Sequence, residues 1–137
     1  MTRRSVSTFR VRYGETDQMG LAYHPNYLVW CEIGRTDYIR ELGITYAEME
    51  RRGHLLAVAD ASVRYAAAAR YDDVIRVETW LERVKSRTLT FAYEISRAEP
   101  DPTHLATART TLISIDRQGA PRRLPGSVLD MFRETTP

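Results

Sequence analysis

The residues best suited to do chemistry lie in one polar loop, between Gly14 and His24. Asp17 stands three residues before Gly20, and an apolar helical pattern begins just after Pro25. The start of a helix offers free N–H groups and about half a positive charge. Such N–H groups stabilise an oxyanion when they point at a carbonyl oxygen, and a nearby carboxylate attacks that carbonyl or activates a water to do so.

These residue types are consistent with the hydrolysis of an acyl thioester. The loop offers no strong general acid, and a thiolate leaves without one far more readily than an amine does. Because Pro25 has no N–H, the available donors are the amides of His24 and of the residue after Pro25. The alternative is structural: Asp17 is then a turn residue that accepts hydrogen bonds from its own loop, and Tyr27 is a core side chain.

Composition restricts the class of protein to a globular one. The chain has 137 residues, 43% of them hydrophobic, which predicts one domain over residues 1–137 and excludes disorder. Its 20 basic residues, of which Lys85 is the only lysine, are offset by 18 acidic ones, so no nucleic-acid partner is expected. Its longest apolar runs are five residues, too short for a membrane span.

The few cysteine and histidine residues argue against disulfides and metals. Cys31 is the only cysteine, which fits a reducing compartment and a small buried side chain. The three histidines are widely spaced and give no metal-ligand pattern. We therefore expect a cytoplasmic protein with no metal and no cofactor.

Hydrophobic periodicity predicts an α+β protein. A strand over residues 6–13 precedes a long helix over 26–42, which Gly43 caps, and a short helix over 46–52 follows. Strands are predicted over 55–65, 74–84, 88–96 and 105–115, with a last helix over 126–133. Gly34, in the middle of the long helix, indicates close packing against another surface.

The four later strands are joined by short connections, which predicts an antiparallel sheet of hairpins covered on one face by the long helix. Three aromatic side chains suggest that part of the outer face is covered as well. This favours an oligomer. The three side chains are Tyr65, Trp80 and Tyr93.

The segment from Arg10 to Tyr27 closely resembles the active-site signature of the 4-hydroxybenzoyl-CoA thioesterase family. The matching elements are Arg-Val, four residues, Thr-Asp, Gly three residues on, and then Tyr-His-x-Asn-Tyr. Residues 69–77 and 123–125 continue the likeness, which covers nearly the whole chain. The resemblance implies a hotdog fold, in which a five-stranded antiparallel sheet wraps around one long central helix.

The resemblance also implies an acyl-CoA thioesterase. It places the catalytic carboxylate, as nucleophile or general base, on Asp17, and the backbone N–H that polarises the thioester carbonyl on His24. It implies substrate contacts at Gly20, Tyr23 and Tyr27. Sites of this family lie at a dimer interface, so a homodimer or homotetramer is expected.

The substrate is less well defined by the resemblance. His24 stands where aryl-specific members carry another aromatic residue, which favours an aliphatic acyl-CoA. The CoA phosphates are assigned to Arg83, Lys85 and Arg87, with a solvated hairpin end as the alternative. A non-catalytic acyl-CoA or acyl-ligand binding protein on the same fold is the competing function.

Overall fold

The computed structural model describes residues 3–136, and its main body is one antiparallel sheet with a long helix against one face. Among these residues, no helix is long and apolar enough to span a bilayer. The elements, in chain order, are β1 (Arg4–Arg10), α1 (Asn26–Glu41), α2 (Tyr46–Arg51), β2 (Leu55–Tyr65), β3 (Val74–Val84), β4 (Thr88–Glu99), β5 (Thr103–Ile115) and α3 (Gly126–Arg133).

The predicted bounds hold for most elements and fail for β1. That strand ends at Arg10 rather than at residue 13, because Tyr13–Glu15 turns into a short 3-10 helix. β4 and β5 run closer to their shared hairpin than the sequence predicts. Gly43 follows α1 with φ +90°, the left-handed conformation expected of a C-terminal cap.

The strand order is β1-β3-β4-β5-β2, which differs from a simple chain of hairpins. The position of β2 in the sequence suggested that it pairs with β3, but the two strands are not neighbours. β2 pairs antiparallel with β5, from Leu55 opposite Ile115 to Tyr65 opposite Ala106. Residues 66–73 therefore cross the sheet to reach β3 beside β1, and β2 is left as an edge strand.

The core lies between α1 and the face of the sheet that it covers. The prediction of close packing at Gly34 is confirmed, because a Cβ there would collide with Thr79 Oγ1 and lie 3.0 Å from Val77 Cγ1. Cys31 is fully buried, as expected, and burial raises the pKa of its thiol to about 12. The buried residues of α1 are Tyr27, Trp30, Cys31, Gly34, Tyr38 and Ile39.

One aromatic residue was assigned to the wrong face of the sheet. Tyr93 is fully buried, and its hydroxyl lies 2.6 Å from Thr110 Oγ1. It shares a face with Phe91, which packs against Tyr38 of α1, since alternate residues of a strand point the same way. Trp80 does lie on the outer face, half-buried beneath the guanidinium of Arg4 at 4.0 Å.

A buried carboxylate joins the loop after β1 to α1. Glu15 is only 6% exposed, and the Arg12 N–H donates to its Oε1 at 2.8 Å. The indole N–H of Trp30 donates to Oε2 at 3.0 Å, and the Asn26 side chain donates to the Glu15 carbonyl at 2.8 Å. Burial alone would raise the pKa of Glu15, but these hydrogen bonds to the ionised form outweigh it and lower the pKa.

Glu15→Gln should destabilise the protein by about 1–3 kcal/mol at pH 7, because each carboxylate oxygen accepts from a different N–H donor. The Gln side chain would place its NH₂ group, itself a donor, against one of those N–H donors, so one hydrogen bond would be lost. Since the pKa of Glu15 is lowered on folding, its stabilisation is full above its unfolded value of about 4.3 and is lost as pH falls through the folded value.

Urea unfolding of both proteins at pH 7 and at about pH 3 measures this difference. The gap between wild type and Glu15→Gln should shrink at the lower pH. The matched control is Glu50→Gln, an exposed residue of α2, which should change stability by less than about 0.5 kcal/mol. A gap that is equal at both pH values would contradict the assignment.

Candidate functional site

The polar loop between β1 and α1 is held firmly against the end of the sheet. Asp17 N–H donates to the Leu21 carbonyl at 2.8 Å, which closes the loop on itself. Ala22 N–H donates to the Ala69 carbonyl, also at 2.8 Å, and Leu21 forms a bridge with Arg70. The loop is thereby fixed to the segment that leads into β3.

Asp17 uses its two carboxylate oxygens differently. Its Oδ1 accepts hydrogen bonds from the N–H groups of Met19 at 2.9 Å and Leu21 at 3.1 Å. Gly20 permits this tight turn with φ +78°. Oδ2 has no hydrogen-bond partner within residues 3–136 and is therefore available to a ligand. Asp17 is thus a turn residue and a candidate catalytic carboxylate at the same time.

His24 stands immediately before the first turn of α1. Its N–H has no acceptor in the part of the chain that the structure describes. This N–H belongs to the Tyr23–His24 peptide, which is fixed in orientation because the Tyr23 carbonyl accepts from the Asn26 N–H at 2.9 Å. The His24 carbonyl, in the next peptide, accepts from the Tyr27 N–H at 3.3 Å and from the Tyr65 hydroxyl at 2.8 Å. Pro25 is the N-cap rather than the first helical residue. The His24 amide is thus the first unpaired donor at this helix terminus.

Asp17 and His24 lie on the wall of one cavity of about 320 Å³. Tyr27 lines its base; it is 2% exposed, and its hydroxyl accepts from the Ala69 N–H at 3.1 Å. Burial raises the pKa of Tyr27, so the phenol stays neutral. The remaining wall is formed by Met19, Leu21, Ala22, Tyr65 and Ala66–Ala68.

Two of the other predicted substrate residues stand outside this wall. Gly20 forms the tip of the turn, and its role there is to shape the loop. Tyr23 is 53% exposed, and its ring lies edge-on to the His24 imidazole at 5.0 Å. Their contacts with substrate stay a prediction.

Sequence reasoning did not assign two residues that position this site. Glu15 anchors the loop from below, and Tyr65 holds the His24 carbonyl from the end of β2. Neither belongs to a motif. The only available signal for the cavity wall was the run of four small residues from Ala66 to Ala69, which marks a place where a neighbouring group can approach closely.

The basic residues assigned to the CoA phosphates lie away from this cavity in the same chain. Arg83, Lys85 and Arg87 surround the β3–β4 turn, whereas the Asp17 loop adjoins the opposite end of β3, where Arg10 pairs with Val74. Eleven strand residues span roughly 35 Å. Each protomer therefore keeps these two groups at opposite ends of the sheet.

Among residues 3–136, no three or more His, Cys, Asp or Glu side chains converge in a way that could hold a metal ion.

Comparison with known proteins gives a family. Residues 11–132 match the model of the thioesterase-like superfamily. The acyl-CoA thioester hydrolase YbgC of Escherichia coli O157:H7 is 29% identical over 126 residues, which cover 91% of this chain and 92% of that one.

Two solved structures show the same architecture. A DHNA-CoA thioesterase from Staphylococcus aureus superimposes with a TM-score of 0.89 at 33% identity, covering 96% of this chain and 89% of the other. A 4-hydroxybenzoyl-CoA thioesterase, 19% identical, shares the fold at a TM-score of 0.85 over 95% of this chain and 99% of its own. The predicted hotdog fold is confirmed, and the chain belongs to the thioesterase-like superfamily.

Proposed function

We propose that the protein hydrolyses acyl-CoA thioesters. The observation that carries this proposal is a carboxylate oxygen and a backbone N–H, on Asp17 and His24, which are both unpaired and line the same cavity. Membership of the superfamily supports it, as does the E. coli relative that is named an acyl-CoA thioester hydrolase.

The proposed reaction uses the His24 N–H to bind the thioester carbonyl oxygen as negative charge develops on it. Asp17 Oδ2 then either attacks the carbonyl carbon or removes a proton from an attacking water. In the first case the C–S bond breaks, CoA leaves as the thiolate, and water hydrolyses the resulting anhydride. In the second case water supplies the new C–O bond directly. Either route yields a free acid and CoA thiol.

The wall of the cavity favours an aliphatic acyl group. Met19, Leu21 and the small side chains of Ala66–Ala68 all belong to this wall. These groups offer van der Waals contact without hydrogen bonds. A volume of about 320 Å³ is at the low end for small-molecule sites, and the cavity is open on one side. A second protomer is proposed to close it.

The free edge of β2 is the proposed dimer interface. Its outward N–H and C=O groups face no other strand in the described chain, and such edges favour strand pairing. Val58 is 54% exposed on this strand, and Val29 of α1 is 43% exposed beside it. Leu28, Val29 and Val58 line a shared depression, so the apolar surface is continuous.

Antiparallel pairing of two β2 strands would also bring the basic β3–β4 turn of one subunit towards the Asp17 loop of the other. A two-fold axis normal to the sheet reverses the partner, so its β3–β4 turn comes to the end of the sheet that holds the Asp17 loop. Arg83, Lys85 and Arg87 are then proposed to bind CoA phosphates in trans. Arg123 lies beside this turn, because the next residue donates its N–H to the Ser86 carbonyl at 3.0 Å.

Asp17→Asn should reduce kcat for acyl-CoA hydrolysis by about 10²–10⁴-fold. Asparagine keeps the oxygen that accepts from Met19 and Leu21, so the loop should retain its shape. His24→Ala, which preserves the backbone N–H, should cost less than about tenfold. Release of free thiol from a series of acyl-CoAs measures both. Tight acyl-CoA binding by the wild type without thiol release would indicate the binding protein instead.

Val58→Lys should convert the protein from a dimer to a monomer and abolish most hydrolysis, because a charge then replaces an apolar contact at the β2 edge. The matched control is Val6→Lys on β1, the other edge strand, where the side chain is 44% exposed. Sedimentation equilibrium should give twice the 15.8 kDa chain mass for the wild type and for Val6→Lys. A wild-type monomer with full activity would contradict the interface.

Replacing Lys85 and Arg87 by Gln should raise KM for acyl-CoA about tenfold or more and leave kcat little changed, because ionic contacts to phosphate are lost. The KM for the matching acyl-N-acetylcysteamine, which has no phosphates, should stay the same. Arg133→Gln, at the end of α3, is the control. Equal effects on both substrates would show that the turn does not bind the phosphates.

A further inference from the structure

A second cavity lies between α2 and α3, at the start of β2. Its volume is about 280 Å³, and it is more enclosed than the cavity at Asp17. Ile44, Met49, Val128 and Met131 give it an apolar interior. His54, which lines this cavity, comes just before β2, and Tyr65, which lines the cavity at Asp17, is the last residue of β2. The two cavities of one chain are therefore roughly 35 Å apart.

His54 is one of the residues that line this cavity, and its imidazole carries an unsatisfied nitrogen. The residue is 6% exposed, and Nδ1 is completely buried with no hydrogen-bond partner among the described residues. Buried polar atoms are nearly always paired, and an exception calls for an explanation such as an absent ligand. The His54 backbone is held in place, since its N–H donates to the Met49 carbonyl at 2.9 Å.

The surroundings of His54 favour negative charge. Burial lowers the pKa of its imidazole, and the nearby positive charges of the Arg122 and Arg52 guanidinium groups lower it further. The one carboxylate in the wall belongs to Glu48, and it is already engaged by Arg51 and by Arg52 Nε. Its charge is therefore compensated.

The first turn of α3 adds donors to the same cavity. Pro125 is its N-cap and provides no side-chain acceptor, and the N–H groups of Gly126 and Ser127 have no partner in residues 3–136. Ser127 lines the cavity. A helix start of this kind attracts anions, and here it adjoins an unpaired imidazole.

We propose that the cavity between α2 and α3 is a second binding site, specific for a compact amphipathic carboxylate. The carboxylate lies between His54 and the start of α3, and the hydrocarbon packs against Met49 and Met131. The proposal is independent of the hydrolysis assigned to Asp17.

Octanoate, octanol and octylamine, which share one hydrocarbon chain, test this site. The His54 resonances are assigned in imidazole NMR spectra of the full-length protein by their loss in His54→Gln. Octanoate should shift these resonances to a saturating value. Octanol should bind at least about tenfold more weakly, since it makes no charged hydrogen bond. Octylamine should leave His54 unshifted. Equal affinities for octanoate and octanol would overturn the proposal, as would an unshifted His54 at about 10 mM octanoate.

Two variants separate this site from the other one. His54→Phe keeps the packing and removes the unpaired nitrogen, so it should raise Tm and abolish octanoate binding measured by calorimetry. Asp17→Asn should leave that binding unchanged. Retained octanoate affinity in a folded His54→Phe protein, or its loss in Asp17→Asn, would refute the assignment.

Discussion

The geometry of the loop depends on the buried carboxylate of Glu15. A loop of this length loses much conformational entropy on ordering, and few apolar contacts compensate for it. Glu15 accepts from the Arg12 N–H on one oxygen and from the Trp30 indole on the other. These bonds join the end of β1 to the buried face of α1. Because Asp17 and His24 both lie in the segment between Glu15 and Trp30, this anchor limits how far apart they can move.

The strand order has a second consequence for the site. Since residues 66–73 carry the chain from β2 across to β3, the small side chains of Ala66–Ala68 pass beside Asp17 and form the cavity wall. The same crossing leaves β2 at the edge of the sheet with Val58 exposed. A half-open cavity and a strand edge with no neighbour among the described residues thus arise from one topological feature, and the proposed partner at that edge would complete both.

Local sequence patterns predicted the helices and strands. The strand pairings and the buried side chains that anchor the loop could be identified only from the folded structure. Period-two alternation located β3 correctly, and an apolar stretch located β2, because both patterns are local properties of the sequence. No local signal distinguishes β5 from β3 as the neighbour of β2. Tyr93 was misplaced because an aromatic residue does not reveal which face it occupies. Glu15 and His54 went unassigned, since isolated polar residues in a sequence give no sign of being buried.

The candidate site shows why a turn residue and a catalytic group need not be alternatives. Accepting two backbone N–H groups fixes the Asp17 carboxylate plane, and the other oxygen is left free. A nucleophile or base that is positioned in advance loses little entropy during the reaction. The peptide that carries the His24 N–H is fixed in the same manner, because its Tyr23 carbonyl accepts from the Asn26 N–H at 2.9 Å, while the His24 N–H has no acceptor within residues 3–136. Each group is held by the atom that the chemistry does not use.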